Sequence, residues 1–186
     1  MINKKLWCLV YKPDGSLFEF YIGQENTGMD CLIDICRLLK IVEFFYFGLK
    51  TTDEKNNMKW INLRNRLKDE VNFKAPLRLF LIVKYFINPQ AIIQPTTEDI
   101  FFYCLLIKIQ SGAINLNLEK REIILKMASL YVFIELKSFH IIPQYPEDEI
   151  FKMFHKFSNN IIWDEAMILD CFEMFTKLPY ETTLTD

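Results

Sequence analysis

Between residues 54 and 84 the chain carries eight Lys or Arg (55, 59, 64, 66, 68, 74, 78 and 84) against three acids (54, 69 and 70), a balance of +5. Four of these cations, Lys59, Arg64, Arg66 and Lys68, crowd around Trp60. A cluster of this kind suits an anionic lipid leaflet, where each Lys or Arg held near the surface contributes about 1 kcal/mol. Residues 143–186 lean the other way, with nine acids against three Lys, a balance of −6. The two stretches therefore face anionic and basic partners, or attract one another within the protein, or are simply solvated. Other reactive types are poorly placed for chemistry. His140 and His155 stand far apart, without a Cys, His or Asp at metal-ligand spacing. Adjacent carboxylates at Asp69-Glu70 and Glu147-Asp148-Glu149 read as solvated charge rather than acid–base dyads. No nucleophile has a base beside it, so neither catalysis nor a cofactor is predicted.

Composition narrows the class further. The chain has 186 residues, 51 % of them apolar, with 17 Phe, 8 Tyr and 3 Trp to fill an aromatic-rich core. Only five Gly argue against phosphate-cradling loops, and a net charge of −2 gives no reason to expect a nucleic-acid partner. The cysteines, Cys8, Cys31, Cys36, Cys104 and Cys171, are odd in number and mostly set in apolar runs, so they read as buried reduced thiols. Lys4 and Lys5 precede an apolar run that ends at Lys12-Pro13, too short for a signal peptide. The longest apolar run falls well short of the roughly 20 residues of a membrane span, which predicts a soluble, cytoplasmic protein.

These residues must be positioned by two kinds of element. Leu6–Tyr11 and Leu17–Ile22 flank Lys12-Pro13-Asp14-Gly15, which reads as a hairpin. Thr27, with Asp30 three residues on, caps a helix whose stripe is Met29, Leu32, Ile33, Cys36 and Leu39. Short strands are expected at Tyr46–Leu49 and Lys59–Leu63, and a central strand within Leu77–Phe86. Order β-β-α-β-β-β in so short a span makes a ubiquitin-like roll. Beyond Pro89 and Pro95 the pattern turns helical. Thr96 is expected to cap a helix that ends at Gly112, and Asn117 to cap a second reaching Leu136. These two, apolar on nearly every side, are expected to be the inner pair of a helical unit. Glu147–Phe157 and Trp163–Leu178 supply two outer helices, with Phe151, Phe154 and Phe157 either core or an exposed docking stripe.

The order and spacing of several short motifs resemble the FERM domain of ezrin, radixin and moesin, of band 4.1, and of FERM-bearing tyrosine phosphatases. They are Tyr46-Phe47-Gly48-Leu49, Trp60-Ile61, Leu81-Ile82-Val83-Lys84-Tyr85-Phe86 with Pro89, Thr97 with Phe101–Gly112, Ala128-Ser129, Glu135-Leu136 with Phe139, His155-Lys156 and Asp164-Glu165-Ala166. The resemblance implies an α+β chain: a ubiquitin-like lobe at 1–87, then an acyl-CoA-binding-protein-like helical lobe at 88–186, stopping where a third, pleckstrin-homology-like lobe would begin. It departs from the family at Lys137-Ser138 and at Asn62 and Asn65, which stand where phosphoinositide-binding members carry lysines. It implies a non-catalytic adaptor or scaffold, peripheral to the plasma membrane and cytoskeleton, that links membrane-protein tails or an anionic lipid surface to cortical cytoskeletal proteins. Two alternatives stay open. One is the N-terminal targeting module of a longer non-receptor tyrosine phosphatase or kinase; the other is an acyl-CoA or lipid-ligand carrier. The candidate lipid contacts are Lys59, Arg64, Arg66 and Lys68.

Overall fold

In a computed structural model the chain is described over residues 5–71, 76–138, 147–158 and 160–177. It divides into two compact units, Met1–Leu105 and Leu106–Asp186. The fold is α+β, as expected.

In the first unit, β1 (Lys5–Tyr11) and β2 (Leu17–Gly23) form the hairpin, closed by Lys12 N donating to Ser16 O over 2.8 Å. The chain then enters α1 (Gly28–Leu38), β3 (Phe47–Thr52), β4 (Met58–Trp60), the one-turn helix α2 (Leu67–Glu70) and β5 (Leu77–Val83). The strands lie in the order β2-β1-β5-β3-β4, with β5 parallel to β1 and antiparallel to β3. This is the β-grasp arrangement of a ubiquitin-like lobe. β5 is central because Leu77, Leu79, Leu81 and Val83 all turn to one buried face, the period-2 signature of a strand. On that face Val10, Leu49, Leu79 and Leu81 share a core with Cys31, Leu32 and Ile35 of α1. Helix α1 begins where the sequence predicts. The Thr27 hydroxyl accepts the Asp30 N–H, and the Asp30 carboxylate accepts the Thr27 N–H over 2.8 Å. The strand expected at Lys59–Leu63 is instead Met58–Trp60. Ile61 closes its last bond, donating its N–H to Leu49 O, and the chain then turns toward α2.

Within the first unit, the segment after β5 is tied back to the chain ahead of β3. The Glu43 carboxylate, buried, accepts the N–H groups of Ile93 and Gln94. The Gln94 side chain accepts the Val42 N–H and donates to Lys40 O. Helix α3 (Pro95–Gln110) therefore starts two residues earlier than a Thr96 cap would have it. Pro95 takes the first helical position, where its missing N–H costs nothing, and Thr96 lies inside the helix rather than capping it. The first half of α3 belongs to the core of the first unit. Phe101 meets the rings of Tyr46, Phe47 and Phe86, and Cys104 Sγ accepts the Val83 N–H over 3.4 Å.

In the second unit the helices are α4 (Arg121–Ser138), α5 (Glu147–Phe157) and α6 (Glu165–Thr176), preceded by the end of α3. Gly112 takes φ +74°, the left-handed residue that ends α3, and a Cβ there would run into the Asn160 side-chain amide. Asn117 caps no α-helix. It sits in a single 3-10 turn capped by Asn115, and α4 begins only at Arg121. Helix α4 packs mainly on α6 and α5. Val132, Leu136, Phe154, Cys171 and Phe175 fill the space between them. The buried Ser129 hydroxyl lies 2.8 Å from Leu125 O and 2.9 Å from Cys171 O, tying α4 to α6. The expected inner pair is thus corrected: α4 is the hub of this unit, while α3 straddles the division and leaves Leu105 and Ile107 substantially exposed. Phe154 and Phe157 are buried and Phe151 stacks edge-on with Phe172, so the phenylalanine row is core.

Candidate binding surface on the first unit

Trp60 is the centre of the surface that the structure singles out. β4 is an edge strand, and Trp60 is paired across it with Lys50 of β3. Alternation along a strand puts Gly48 and Lys50 on the same face, the one turned away from α1. The indole packs against Gly48, where an added Cβ would come within 2.9 Å of a ring carbon. Lys50 Nζ sits 4.6 Å from the ring centroid, and Lys84, just past the end of β5, reaches the same ring at 5.9 Å and the Tyr85 ring at 5.5 Å. Both are cation–π distances. Glycine in the Tyr-Phe-Gly-Leu stretch therefore has a local reason: it is the seat of the tryptophan.

The platform forms one wall of an open hollow of about 480 Å³. Met29, Phe45 and Tyr85 supply exposed apolar surface, Arg64 and Lys84 supply charge, and no Asp or Glu among the described residues lines it. Trp60 keeps 41 % of its surface exposed and Tyr85 58 %. Contiguous apolar exposure of this kind marks an interaction site more often than isolated surface residues do.

The four cations expected to act together are divided among three settings. Arg66 and Lys68 converge on Glu25, at 3.0 and 2.7 Å. The hydrogen bond from Lys68, backed by the positive charges of Lys68 and Arg66, holds the Glu25 carboxyl below the usual carboxylate range. Lys59 donates to Glu70 O over 2.8 Å. Only Arg64 lines the hollow. In exchange, Lys50 and Lys84 join Trp60; the period-2 pattern of β3 and β5 was the signal that could have found them. Asn62 and Asn65 prove to be structural. The Asn62 N–H and the Asn65 side-chain amide both donate to the Glu70 carboxylate, at 3.0 and 2.6 Å, and lower its pKa.

Reactive groups elsewhere are tied up by packing. All five cysteines are buried and free, and burial pushes the Cys8 and Cys36 thiols up to about 12 and Cys171 to about 11. Cys31 and Arg37 stand at the Cys-x5-Arg spacing of a phosphatase loop, a match the sequence reading passed over. Both are on α1, Cys31 fully buried and Arg37 paired with Asp34, so no anion cradle forms. Asp69 and Glu70 lie on the surface turn of α2, and Glu149 pairs with Lys152. His155 is exposed against Trp163, and His140 lies outside the described residues. Among the described residues no group of His, Cys, Asp and Glu could hold a metal ion, and no helix is long and apolar enough to cross a membrane.

Residues 10–72 match the FERM N-terminal domain. Over 157 residues the chain is 23 % identical to the mouse (Mus musculus) tyrosine-protein phosphatase non-receptor type 14, covering 83 % of this chain and 13 % of the phosphatase. It is 28 % identical over 106 residues to moesin/ezrin/radixin homolog 2 of Drosophila melanogaster, covering 54 % and 16 % of the two chains. Human (Homo sapiens) protein 4.1 is 25 % identical over 112 residues, covering 60 % of this chain and 12 % of its own length. The chain thus spans between 12 % and 16 % of these relatives. In fold it follows the FERM domain of Drosophila merlin, solved in complex with the C-terminal domain, with a TM-score of 0.70 at 22 % identity over 91 % of this chain and 58 % of that one.

Proposed function

We propose, from the premise that residues 10–72 are a FERM N-terminal domain in a chain of FERM fold, that this protein is a non-catalytic adaptor. It links the plasma membrane or membrane-protein tails to the cortical cytoskeleton. The functional lobes are taken as the ubiquitin-like residues 1–87 and the helical residues 88–186. The observation that carries the reading is the joint match of that domain and of relatives named moesin/ezrin/radixin homolog and protein 4.1. A second reading has one specific observation behind it. The stretch shared with a tyrosine phosphatase runs along 83 % of this chain but only 13 % of the enzyme, which fits a targeting module attached to chemistry carried elsewhere.

Membrane contact is assigned to Lys59, Arg64, Arg66 and Lys68, with an anionic lipid surface as the partner. At about 1 kcal/mol for each cation the four give roughly 4 kcal/mol before ordering costs, a dissociation constant of about millimolar at best. The Glu25 pairs weaken binding further. Flotation with phosphatidylserine vesicles at about 50 and about 200 mM salt, across which the screening length halves, is the test. Weak binding that falls with salt, and falls again in Arg66→Glu/Lys68→Glu, is expected. Binding indifferent to both removes the membrane arm of the reading.

A further inference from the structure

The hollow beside Trp60 is lined by cations and aromatic residues and, among the described residues, by no acid, and the geometry points to an acidic, apolar peptide segment of a partner protein as its occupant. Three features choose this chemistry. Arg64 and Lys84 line it and Lys50 lies over the indole ring, and none of the three has an ion pair among the described residues. A carboxylate is the group that complements them, and Arg can take it with two parallel N–H donors. Between those cations lie the exposed faces of Trp60, Phe45 and Tyr85 with the Met29 thioether, the amphipathic and adaptable surface that interface anchors use. A side chain of Leu or Phe size entering there would be covered on several sides.

The shape favours a peptide over a bilayer. The indole packs against Gly48 and is reached by Lys50 and Lys84, so its exposed surface is offered between cations, where a side chain next to a carboxylate fits better than an acyl chain. The hollow is also separate from the Glu25 corner, where Arg66 and Lys68 are already engaged. This inference rests on the adaptor reading only in taking the partner to be a protein, and it is independent of the membrane contact.

The test uses the full chain and a displayed library of random 12-residue peptides. Enrichment of sequences that place Asp or Glu within a few residues of Leu, Ile or Phe is expected. A synthetic peptide of that consensus should lose about thirty-fold in affinity to Trp60→Ala, the size of an interface hot spot, and about ten-fold to Lys84→Glu, whose side chain is exposed and whose fold is checked by circular dichroism. It should bind Lys68→Glu as it binds the parent. A consensus without acids, or an acidic peptide that binds Trp60→Ala and Lys84→Glu undiminished, overturns the inference. So does competition in which phosphatidylserine vesicles displace the peptide from wild type but lose no binding to Lys68→Glu, because the hollow would then be the lipid site. The adaptor's membrane arm fails separately, by flotation of Arg66→Glu/Lys68→Glu.

Discussion

Two groups of cations on the first unit have the same charge in the sequence and different availability in the structure. At the Glu25 corner, Arg66 and Lys68 share one carboxylate. Around Trp60, Lys50 and Lys84 reach the indole ring and Arg64 lines the hollow beside it, none of them ion-paired among the described residues. A balance of +5 over residues 54–84 cannot separate the two. What separates them is the β-grasp fold, which carries Glu25, from the segment after β2, up to the start of α2, and carries Lys84 from the end of β5 to within reach of β4.

The contrast breaks most sharply at Gly48. A methyl group there collides with the Trp60 ring, and overpacking of this sort costs about 1–3 kcal/mol. Gly48→Ala should lower the urea midpoint accordingly, shift tryptophan emission to the red as the indole lifts, and leave the Arg66 and Lys68 pairs in place. An unchanged emission spectrum would mean that the seat is not what fixes the ring.

Freeing the other group is the converse. Glu25→Gln releases Arg66 and Lys68 from their shared carboxylate. Vesicle affinity should rise by about five-fold for each cation that becomes available, while peptide binding beside Trp60 stays constant. Surface pairs add little to stability, so the melting temperature should hardly move. A large drop in melting temperature would show that the Glu25 corner is a structural bolt instead.

The smallest effect is expected from pH. Glu25 and Glu70 both have folded-state pKa values below their unfolded ones, Glu25 through Lys68 and Glu70 through the Asn62 N–H and the Asn65 amide. A depressed carboxylate contributes stability that is present above the unfolded pKa and is lost as pH falls through the folded pKa. Stability should therefore be level from neutral pH down to about 5 and slip only below the normal Glu range. Glu70→Gln should flatten that slope slightly, and a slope unaltered by both Glu25→Gln and Glu70→Gln would deny these two groups any part in it.

Much of the fold was legible along the chain because its signals are local. The Thr27/Asp30 capping box, the hairpin turn at Lys12–Ser16 and the left-handed Gly112 each depend on residues within one turn of each other. Helices α5 and α6 emerged close to their expected limits for the same reason. The misreadings fall where a distant partner decides. Thr96 is a good capping residue, but Gln94 is held by residues 40–43 and Pro95 takes the first position of α3. Asn117 is the exception, and a local one: Asn115, two residues before it, caps the turn that holds it. Continuous apolar runs in α3 and α4 carry no period that tells a helix which side to bury, so the sequence reading could not choose α4 as the hub.

The amino-acid sequence by itself determined the β-grasp pattern, the helices that follow it, the inert cysteines and the presence of a basic stretch, because each is written in spacing or in residue type. Only the tertiary structure decided which cations are free. Salt bridges and cation–π contacts act over a few ångströms, and the residues that make them here, Glu25 with Lys68 and Lys84 with Trp60, are separated by whole strands and loops of chain.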